Sequence, residues 1–525
     1  MSESRLKKSF LNARVNVFFY LVTLFISFFS RKIFLEKLGD DFVGLTGTLQ
    51  NLLGFLNLAE LGIGASIGYV LYKPLFNKDE QKINEIISVF GYLYRNVGLV
   101  ILGGGIILSC FLPLIFEKTI FELGIIYFAF YSFLASSLIG YFINYRQTLL
   151  GADQKNYLVT AYFQSAGIVK ILIQMLLAYY TGNYYLWVII ELVFGVIYSA
   201  ILNWKIHKVY PWLKSSVREG KMQYPNNKII IQKARQMFVH VLAQAGRSQL
   251  LPFLVYAFAS LKVVAYYGNY MIIITKLNLL LNNFLGSTSA GIGNLIAEGD
   301  KSKIERVFLE LTSLRFWIAG VLTFSLYYLI DPFIVNWLGE EYVLGQSVLI
   351  IILCNFFISQ FRGTNDQFIH GYGLFHDIWA PITTLIITVV VALIGGSFWG
   401  LPGVLLGDVA SSLTIICLWK PYLLYKEGFR KPVWNYWKYI LRNLILLIFS
   451  WIVAMEWFYY KPLFDPESNF MSWSIYAIYS TTIFIIILSP LMYYFSPGIK
   501  EWRDLKKIAD RKLIFTTYKE ILFRV

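Results

Sequence analysis

The sequence is poor in charged residues: they make up only 15% of its 525 residues, whereas 57% are hydrophobic. A soluble domain carries about 25% charged residues. The hydrophobic residues are collected in runs of roughly 20, the length a helix needs to cross a hydrocarbon core about 30 Å thick. The alternating segments of about 10 residues that are typical of a membrane β-barrel are lacking. The sequence therefore predicts an all-α polytopic membrane protein.

Cysteine is also scarce, which limits the possible stabilising and catalytic centres. The three cysteines fall inside hydrophobic runs, and no cysteine or histidine spacing typical of a metal site occurs. We therefore expect neither a disulfide framework nor a metal. The internal duplication described below predicts a transporter rather than an enzyme. The first hydrophobic run lacks a small-residue cleavage site and continues into a basic segment, so we interpret it as a retained helix rather than a signal peptide.

About fourteen hydrophobic segments are long enough to span a membrane. They are residues 11–31, 42–72, 86–116, 119–145, 157–180, 184–204, 231–260, 263–297, 304–330, 343–361, 378–397, 400–424, 437–459 and 472–495. Lys and Arg are concentrated in alternate loops, which predicts that both termini and those loops are cytoplasmic. This asymmetry explains most of the net charge of +15, so we expect no nucleic-acid partner.

An internal repeat is visible at a separation of 221 residues. Ala13-Arg14 opens the first span and Ala234-Arg235 opens the seventh, while the segment 79–87 resembles 299–308. Because six spans separate the copies, they have the same orientation, as in parallel-repeat transporters with a substrate site between the repeats. We predict an N-terminal six-helix lobe, a basic cytoplasmic linker, a C-terminal six-helix lobe, a two-helix hairpin and a basic cytoplasmic tail. These correspond to residues 1–215, 216–230, 231–428, 429–497 and 498–525.

Charged side chains inside the spans are the candidate site residues, because each costs roughly 2.5–3.5 kcal/mol at the membrane centre. The predicted substrate-binding residues are Arg14, Lys170, Arg235, Gln244, Arg247, Ser248 and Lys276. The residues predicted for coupling or gating are Glu60, Glu310 and Arg315. Other interpretations stay open. The arginines near span ends could reach the interface, the deeper cations could form structural ion pairs, and Glu60 could pair, bind a proton or be solvated.

A cavity lined by Arg and Lys suits a diphosphate group, because guanidinium forks match phosphate oxygens and an ammonium group supplies a point charge. Moving about two negative charges outward across an inside-negative membrane releases roughly 2.3 kcal/mol per charge per 100 mV. The membrane potential would therefore assist export of an anionic, lipid-linked substrate.

The segment 34–83 resembles the polysaccharide flippases, the Wzx-like branch of the multidrug/oligosaccharidyl-lipid/polysaccharide exporter superfamily. The resemblance lies in "LG" followed by "GLTG", in "LAELGIG" and in "YKPL". It implies a bacterial inner-membrane protein that flips undecaprenyl-diphosphate-linked oligosaccharide repeat units for O-antigen-type or capsule-type polysaccharide. It also implies that Arg14, Arg247 and Lys276 line the cavity. The implied partners are this lipid-linked oligosaccharide, membrane lipids and the polysaccharide polymerase machinery. No cofactor is implied beyond the Na⁺ or H⁺ coupling of some members.

Three alternatives remain at this stage. A flippase of the peptidoglycan precursor lipid II would share the two lobes and the added hairpin. A drug/cation antiporter of the same superfamily would typically have twelve spans and an acidic cavity. A membrane glycosyltransferase is a distant alternative, suggested by Asp40-Asp41 in the first outer loop, but that loop is too short to hold an acceptor domain.

Overall fold

The structure is a computed structural model that describes residues 5–57, 70–71, 74–153, 155–227, 249–286, 288–374, 376–460, 465–496 and 498. Within these ranges the chain forms helices and connecting turns, without strands. Eleven of the described helices are long and apolar enough to cross a membrane. The protein is thus an all-α polytopic membrane protein, as the composition predicts.

Close contacts divide the chain into two units, Met1–Tyr266 and Tyr267–Val525. The main helices of the first unit are α1 (Arg5–Leu38), α2 (Asp40–Leu56), α3 (Glu80–Ser109), α4 (Leu123–Phe142), α5 (Asn156–Thr181), α6 (Tyr184–Val209) and α7 (Gln249–Phe258). The boundary falls within α8 (Leu261–Gly286). The second unit continues with α9 (Ser289–Glu298), α10 (Lys301–Trp337), α11 (Gln346–Phe361), α12 (Gly363–Tyr372), α13 (Trp379–Trp399), α14 (Leu401–Ser411), α15 (Trp434–Tyr460) and α16 (Phe470–Phe495).

Short polar residues start several of these helices by accepting hydrogen bonds from free backbone N–H groups of the first turn. Asp79 accepts from Lys82 N at the start of α3, and Asn183 accepts from Leu186 N at the start of α6. Asp300 accepts from two backbone amides at the start of α10. The cap of α6 adjoins a hydrophobic run, whereas α3 and α10 begin with a charged turn. The predicted spans 86–116 and 304–330 therefore start six and three residues after these two helices begin.

The predicted span 263–297 is wrong as a single continuous helix, because α8 ends at Gly286 and α9 begins at Ser289. Thr288 Oγ1 donates a hydrogen bond to Leu285 O at 2.8 Å, and Gln367 Nε2 of α12 donates to the same carbonyl at 3.0 Å. These bonds satisfy a carbonyl that a continuous helix would have paired internally. The predicted spans 42–72 and 231–260 lie only partly within the described residues, so the count of fourteen stays a prediction.

The first unit has a continuous hydrophobic core that joins α2, α3, α4 and the start of α8. Gly44 of α2 packs directly on Leu261, where an added Cβ would lie 2.0 Å from the Leu261 carbonyl oxygen. Phe90 of α3 and Phe130 of α4 are fully buried in this core. The contact at Gly44 requires a glycine, because any side chain there would push the backbones apart.

The predicted linker 216–230 begins as a helix, Val217–Gln223, that packs on α3 within the first unit. Ser216 caps this helix by accepting from Glu219 N, and its own N–H donates to Ser88 Oγ at 3.1 Å. A Cβ on Gly220 would lie 1.9 Å from Ser88 O, so the two backbones are in direct contact. The described part of this segment is therefore docked on the first unit, and the predicted lobe boundaries stay predictions.

In the second unit, small residues bring α13 and α14 together. A Cβ added to Gly403 would lie 1.9 Å from Gly395 O, and one added to Gly407 would lie 2.3 Å from Thr388 O. α14 then continues into a stretch of π-helix, Ser412–Trp419. The α15–α16 helix pair packs on α10, where the rings of Phe324 and Phe484 stack at 3.8 Å. The described part of the predicted hairpin is thus attached to the second unit.

Candidate functional site

Several predicted site residues lie outside the described residues. They are Glu60, Arg235, Gln244, Arg247 and Ser248. The backbone of Arg14 belongs to α1, but its side chain is not among those that the structure describes. The roles of these six residues stay predictions. Lys170 lies in the first unit, while Lys276, Glu310 and Arg315 lie in the second unit.

Lys170 forms an ion pair inside the α5–α6 helix pair. Its Nζ lies 2.6 Å from Glu191 Oε1, and Gln174 Nε2 donates to Glu191 Oε2 at 3.3 Å. Gln174 also donates to Trp187 O at 3.1 Å. At 1.5 Å per residue, Lys170 is about 16 Å from the end of α5, so the pair lies deep within both spans. This geometry supports the interpretation of Lys170 as a member of a structural ion pair, which the sequence left open. A role of Lys170 in substrate binding stays a prediction.

Lys276 is half-buried in α8, about 22 Å along the helix from Leu261 at 1.5 Å per residue. The two residues one turn further on, Leu279 and Leu280, are 46% and 47% exposed. At 100° per residue, Asn278 lies on nearly the opposite side of α8, where its Oδ1 accepts a hydrogen bond from Gln360 Nε2. Lys276 therefore belongs to a more open face of α8 than the one that packs on α11.

Arg315 of α10 is 5% exposed and lies beside Gly363, where α11 ends and α12 begins. Its guanidinium packs against Gly363, because a Cβ added there would lie 2.4 Å from Nη1. Arg362 Nε is 3.5 Å from Asp366 Oδ2, and this same carboxylate attracts Arg315. The structure thus brings Arg315 near Arg362 and Asp366, two charged residues that follow the predicted span 343–361.

Glu310 and Arg315 lie on different sides of α10. Five residues separate them, which places their side chains about 140° apart around the helix axis at 100° per residue. Their predicted roles in coupling or gating stay predictions.

Sequence reasoning missed a further acidic residue in this unit. Tyr270 OH donates a hydrogen bond to Asp331 Oδ1 at 2.5 Å and accepts one from Leu344 N at 3.1 Å. Asp331 precedes Pro332 inside α10, in a run that hydropathy assigns to the membrane. The signal that would have found it is the combination of a carboxylate and a proline near the end of a hydrophobic run.

No known protein family matches the sequence, and no curated protein matches it. Solved structures do match. The lipid II flippase MurJ in an inward closed conformation has a TM-score of 0.65 at 14% identity, over 92% of this chain and 99% of that chain. An inward-facing multidrug resistance MATE transporter of the MOP superfamily has a TM-score of 0.59 at 16% identity, over 77% and 96% of the two chains. The chain shares their fold.

A third structure with this fold is a MOP superfamily transporter from Pyrococcus furiosus, described as having a binding pocket of reverse polarity. Its TM-score is 0.51 at 15% identity, over 80% of this chain and 94% of that chain. These likenesses support the superfamily fold that the segment 34–83 implied. The Wzx-like branch itself stays a prediction, because identities of this size establish the fold alone.

Proposed function

We propose that the protein is an alternating-access flippase that moves undecaprenyl-diphosphate-linked oligosaccharide repeat units from the cytoplasmic to the outer leaflet. The observation that carries the proposal is the fold likeness to a lipid II flippase, which extends over 92% of this chain. The likeness to the multidrug resistance MATE transporter extends over 77% of it. The fold therefore favours a lipid-linked substrate over a drug, and the motifs of segment 34–83 favour a polysaccharide precursor.

A lipid II flippase is the second candidate, because the structural relative with the TM-score of 0.65 carries out that function. Both candidates require recognition of a diphosphate beside a sugar. They differ in the sugar and in the pathway that supplies the substrate. Transport with defined lipids separates them, since the two substrates can be offered to the same purified protein.

In this proposal the diphosphate is held by Arg14, Arg235, Arg247 and Lys276, assisted by the polar groups of Gln244 and Ser248. Cationic side chains supply the charge-assisted hydrogen bonds that phosphate oxygens need. Lys170 stands apart, because its ammonium group is already paired with Glu191. Its proposed contribution is to position α5.

Coupling to Na⁺ or H⁺ through Glu60, and gating through Glu310 and Arg315, belong to the same proposal. So do the location in a bacterial inner membrane, cytoplasmic termini and association with the polysaccharide polymerase machinery. The clustering of Lys and Arg in alternate loops supports this orientation.

Deletion of the gene followed by mass analysis of lipid-linked intermediates tests the proposal. A flippase for surface polysaccharide predicts accumulation of complete undecaprenyl-diphosphate-linked repeat units and loss of the surface glycan. Accumulation of lipid II would favour the second candidate. A deletion strain with normal levels of both lipids and normal surface glycan would contradict both.

A further inference from the structure

Two lysines near the end of α6 have no acidic partner in the described part of the chain. The segment 147–209 contains four lysines but only two acidic residues. Both acidic residues are already in ion pairs, at 2.7 Å in Lys155–Asp153 and at 2.6 Å in Lys170–Glu191. No carboxylate of the described residues lies within 4 Å of the two remaining lysines, Lys205 and Lys208. Two unpaired positive charges therefore lie at the end of a helix that is long and apolar enough to span a membrane.

Aromatic side chains accompany both of these lysines. Lys205 Nζ lies 5.2 Å from the ring centroid of Tyr162 and donates a hydrogen bond to the hydroxyl of this residue at 3.3 Å. Lys208 Nζ lies 5.4 Å from the ring of Trp204, which is 56% exposed. Lys205 is about 6 Å from the end of α6 at 1.5 Å per residue. Lysine, tyrosine and tryptophan at this depth are typical of the boundary between the hydrocarbon core and the lipid head groups.

A partly open groove of about 280 Å³ runs between α5 and α6 from Lys205 towards the membrane interior. The residues that line it are mostly aliphatic or aromatic and include Leu150, Tyr162, Phe163, Tyr198, Ile201 and Lys205. Tyr198 lies about 10 Å deeper along α6 than Lys205, at 1.5 Å per residue. Lys205 is the only charged residue that lines the groove. The groove is therefore apolar along its length and positively charged at the end nearer the membrane surface.

The groove borders the exposed apolar face of α6. Ile197, Ile201 and Trp204 are spaced by four and three residues, so they form one stripe along the helix. Ile197 is 36% exposed and Trp204 is 56% exposed, whereas Ile201 between them lines the groove. Lys208 continues this stripe four residues after Trp204. Because large apolar side chains exposed on a membrane-spanning helix face lipid, a lipid chain has access to the groove and its head group has access to both lysines.

We propose that an anionic phospholipid binds here, with its phosphate at Lys205 and Lys208 and part of one acyl chain along the groove. The two lysines are three residues apart and thus neighbours on the helix surface. An ammonium group binds a phosphate oxygen through a charge-assisted hydrogen bond, and basic pockets between spans suit anionic head groups. A zwitterionic lipid is disfavoured, because its own cation repels the lysines. This site does not depend on the proposed transport function.

The test measures quenching of Trp204 fluorescence by lipids with brominated acyl chains. The purified full-length protein is placed in phosphatidylcholine nanodiscs with increasing mole fractions of brominated phosphatidylglycerol, or of brominated phosphatidylcholine with the same chains. Because the chain has 14 tryptophans, quenching in Trp204→Phe is measured in parallel and subtracted. We expect the Trp204 signal to saturate at a low mole fraction of phosphatidylglycerol and to fall in proportion to the mole fraction of phosphatidylcholine. Identical curves for the two lipids would overturn the proposal.

Lysine variants locate the effect. Lys205→Gln and Lys208→Gln should each raise the half-saturating mole fraction of phosphatidylglycerol about fivefold, because each removes one positive charge beside the anionic head group. Lys301→Gln is the matched control, since Lys301 is an exposed lysine of α10 in the second unit, and it should leave the curve unchanged. No shift in Lys205→Gln and Lys208→Gln, or an equal shift in Lys301→Gln, would contradict the site. If Lys205→Gln does not fold, the exposed position Lys208 still decides.

Glycerol phosphate distinguishes a lipid from a free phosphate as the occupant. It carries the charged group of phosphatidylglycerol without the acyl chains, so it lacks the contacts with the groove. Added at the same concentration as the lipid, it should leave the quenching curve of phosphatidylglycerol unchanged. Displacement of the brominated lipid by glycerol phosphate at this concentration would show that the groove contributes nothing and would contradict the proposed lipid site.

Discussion

Lys170 Nζ lies 2.6 Å from Glu191 Oε1, deep within the α5–α6 helix pair, and Gln174 holds the other oxygen of the same carboxylate. The two side chains are 17% and 21% exposed. A charge at this depth is tolerated only when it is paired or solvated. The pair therefore fixes the register of two antiparallel spans.

Removing one partner of this pair should destabilise the protein more than removing both. Lys170→Ala leaves a carboxylate unpaired and should lower the free energy of unfolding by about 3–5 kcal/mol. The double variant Lys170→Met/Glu191→Leu should lose much less, because no charge is left alone.

Thermal unfolding in nanodiscs measures both effects. Lys82→Ala serves as the matched control, since Lys82 pairs with Glu85 on the more exposed start of α3 and should contribute about 0–1 kcal/mol. Equal destabilisation by the single and the double variant would contradict the ion-pair role.

The break between α8 and α9 should loosen when Gln367 is removed. Gln367 Nε2 donates to Leu285 O at 3.0 Å and to Ser289 Oγ at 3.0 Å, one on each side of the break. Gln367→Ala removes both bonds, but Leu285 O keeps its hydrogen bond from Thr288 Oγ1 and Ser289 is exposed to water, so the cost should be about 0.5–1.5 kcal/mol. Hydrogen exchange of a peptide covering residues 282–292 should become faster.

Gln346→Ala is the control for that variant, because Gln346 Nε2 donates to Tyr327 OH at an exposed position away from the break. The control should leave exchange in residues 282–292 unchanged. Unchanged exchange in Gln367→Ala as well would mean that the break is stable without this side chain.

Gly403→Ala should separate α13 from α14. The added Cβ would lie 1.9 Å from Gly395 O, and a backbone atom cannot move aside as a flexible side chain can. We expect destabilisation of about 1–3 kcal/mol, measured by thermal unfolding. Gly103→Ala in α3 is the matched control, because no atom lies within 4 Å of its added Cβ, and helical propensity makes that change neutral or stabilising. Similar melting temperatures for the two variants would contradict the close contact.

The pattern of hydrophobic runs predicts most of the long helices, because a membrane span must satisfy its backbone within a continuous helix of known length. Hydropathy does not predict the break after Gly286, because averaging the hydropathy over a whole span hides a short stretch of three polar or small residues. Arg362 and Asp366 were not identified as candidate site residues because the hydrophobic run ends at Phe361. In the structure the helical path continues beyond this run through α12 to Tyr372.

The sequence alone could have identified Glu191 as the partner of Lys170, although it was not identified. Lys170 precedes the turn at Gly182 and Asn183 by about three helical turns, and Glu191 follows it by about two, so an antiparallel pair of helices brings them close. The sequence alone does not predict that Asp366 lies near Arg315, because this proximity depends on how α10 and α12 pack. Packing between separate spans is not encoded in the hydropathy of any one of them.

Transport of defined lipids by the purified protein in proteoliposomes tests the central claim most directly. The account predicts that the wild-type protein and Lys262→Ala, at an exposed lysine outside the proposed site, move a labelled undecaprenyl-diphosphate-linked oligosaccharide across the bilayer. It predicts that Arg247→Ala and Lys276→Ala abolish this movement while the protein remains folded. Unchanged movement in both variants, or no movement of this lipid above that in protein-free liposomes, would contradict the account.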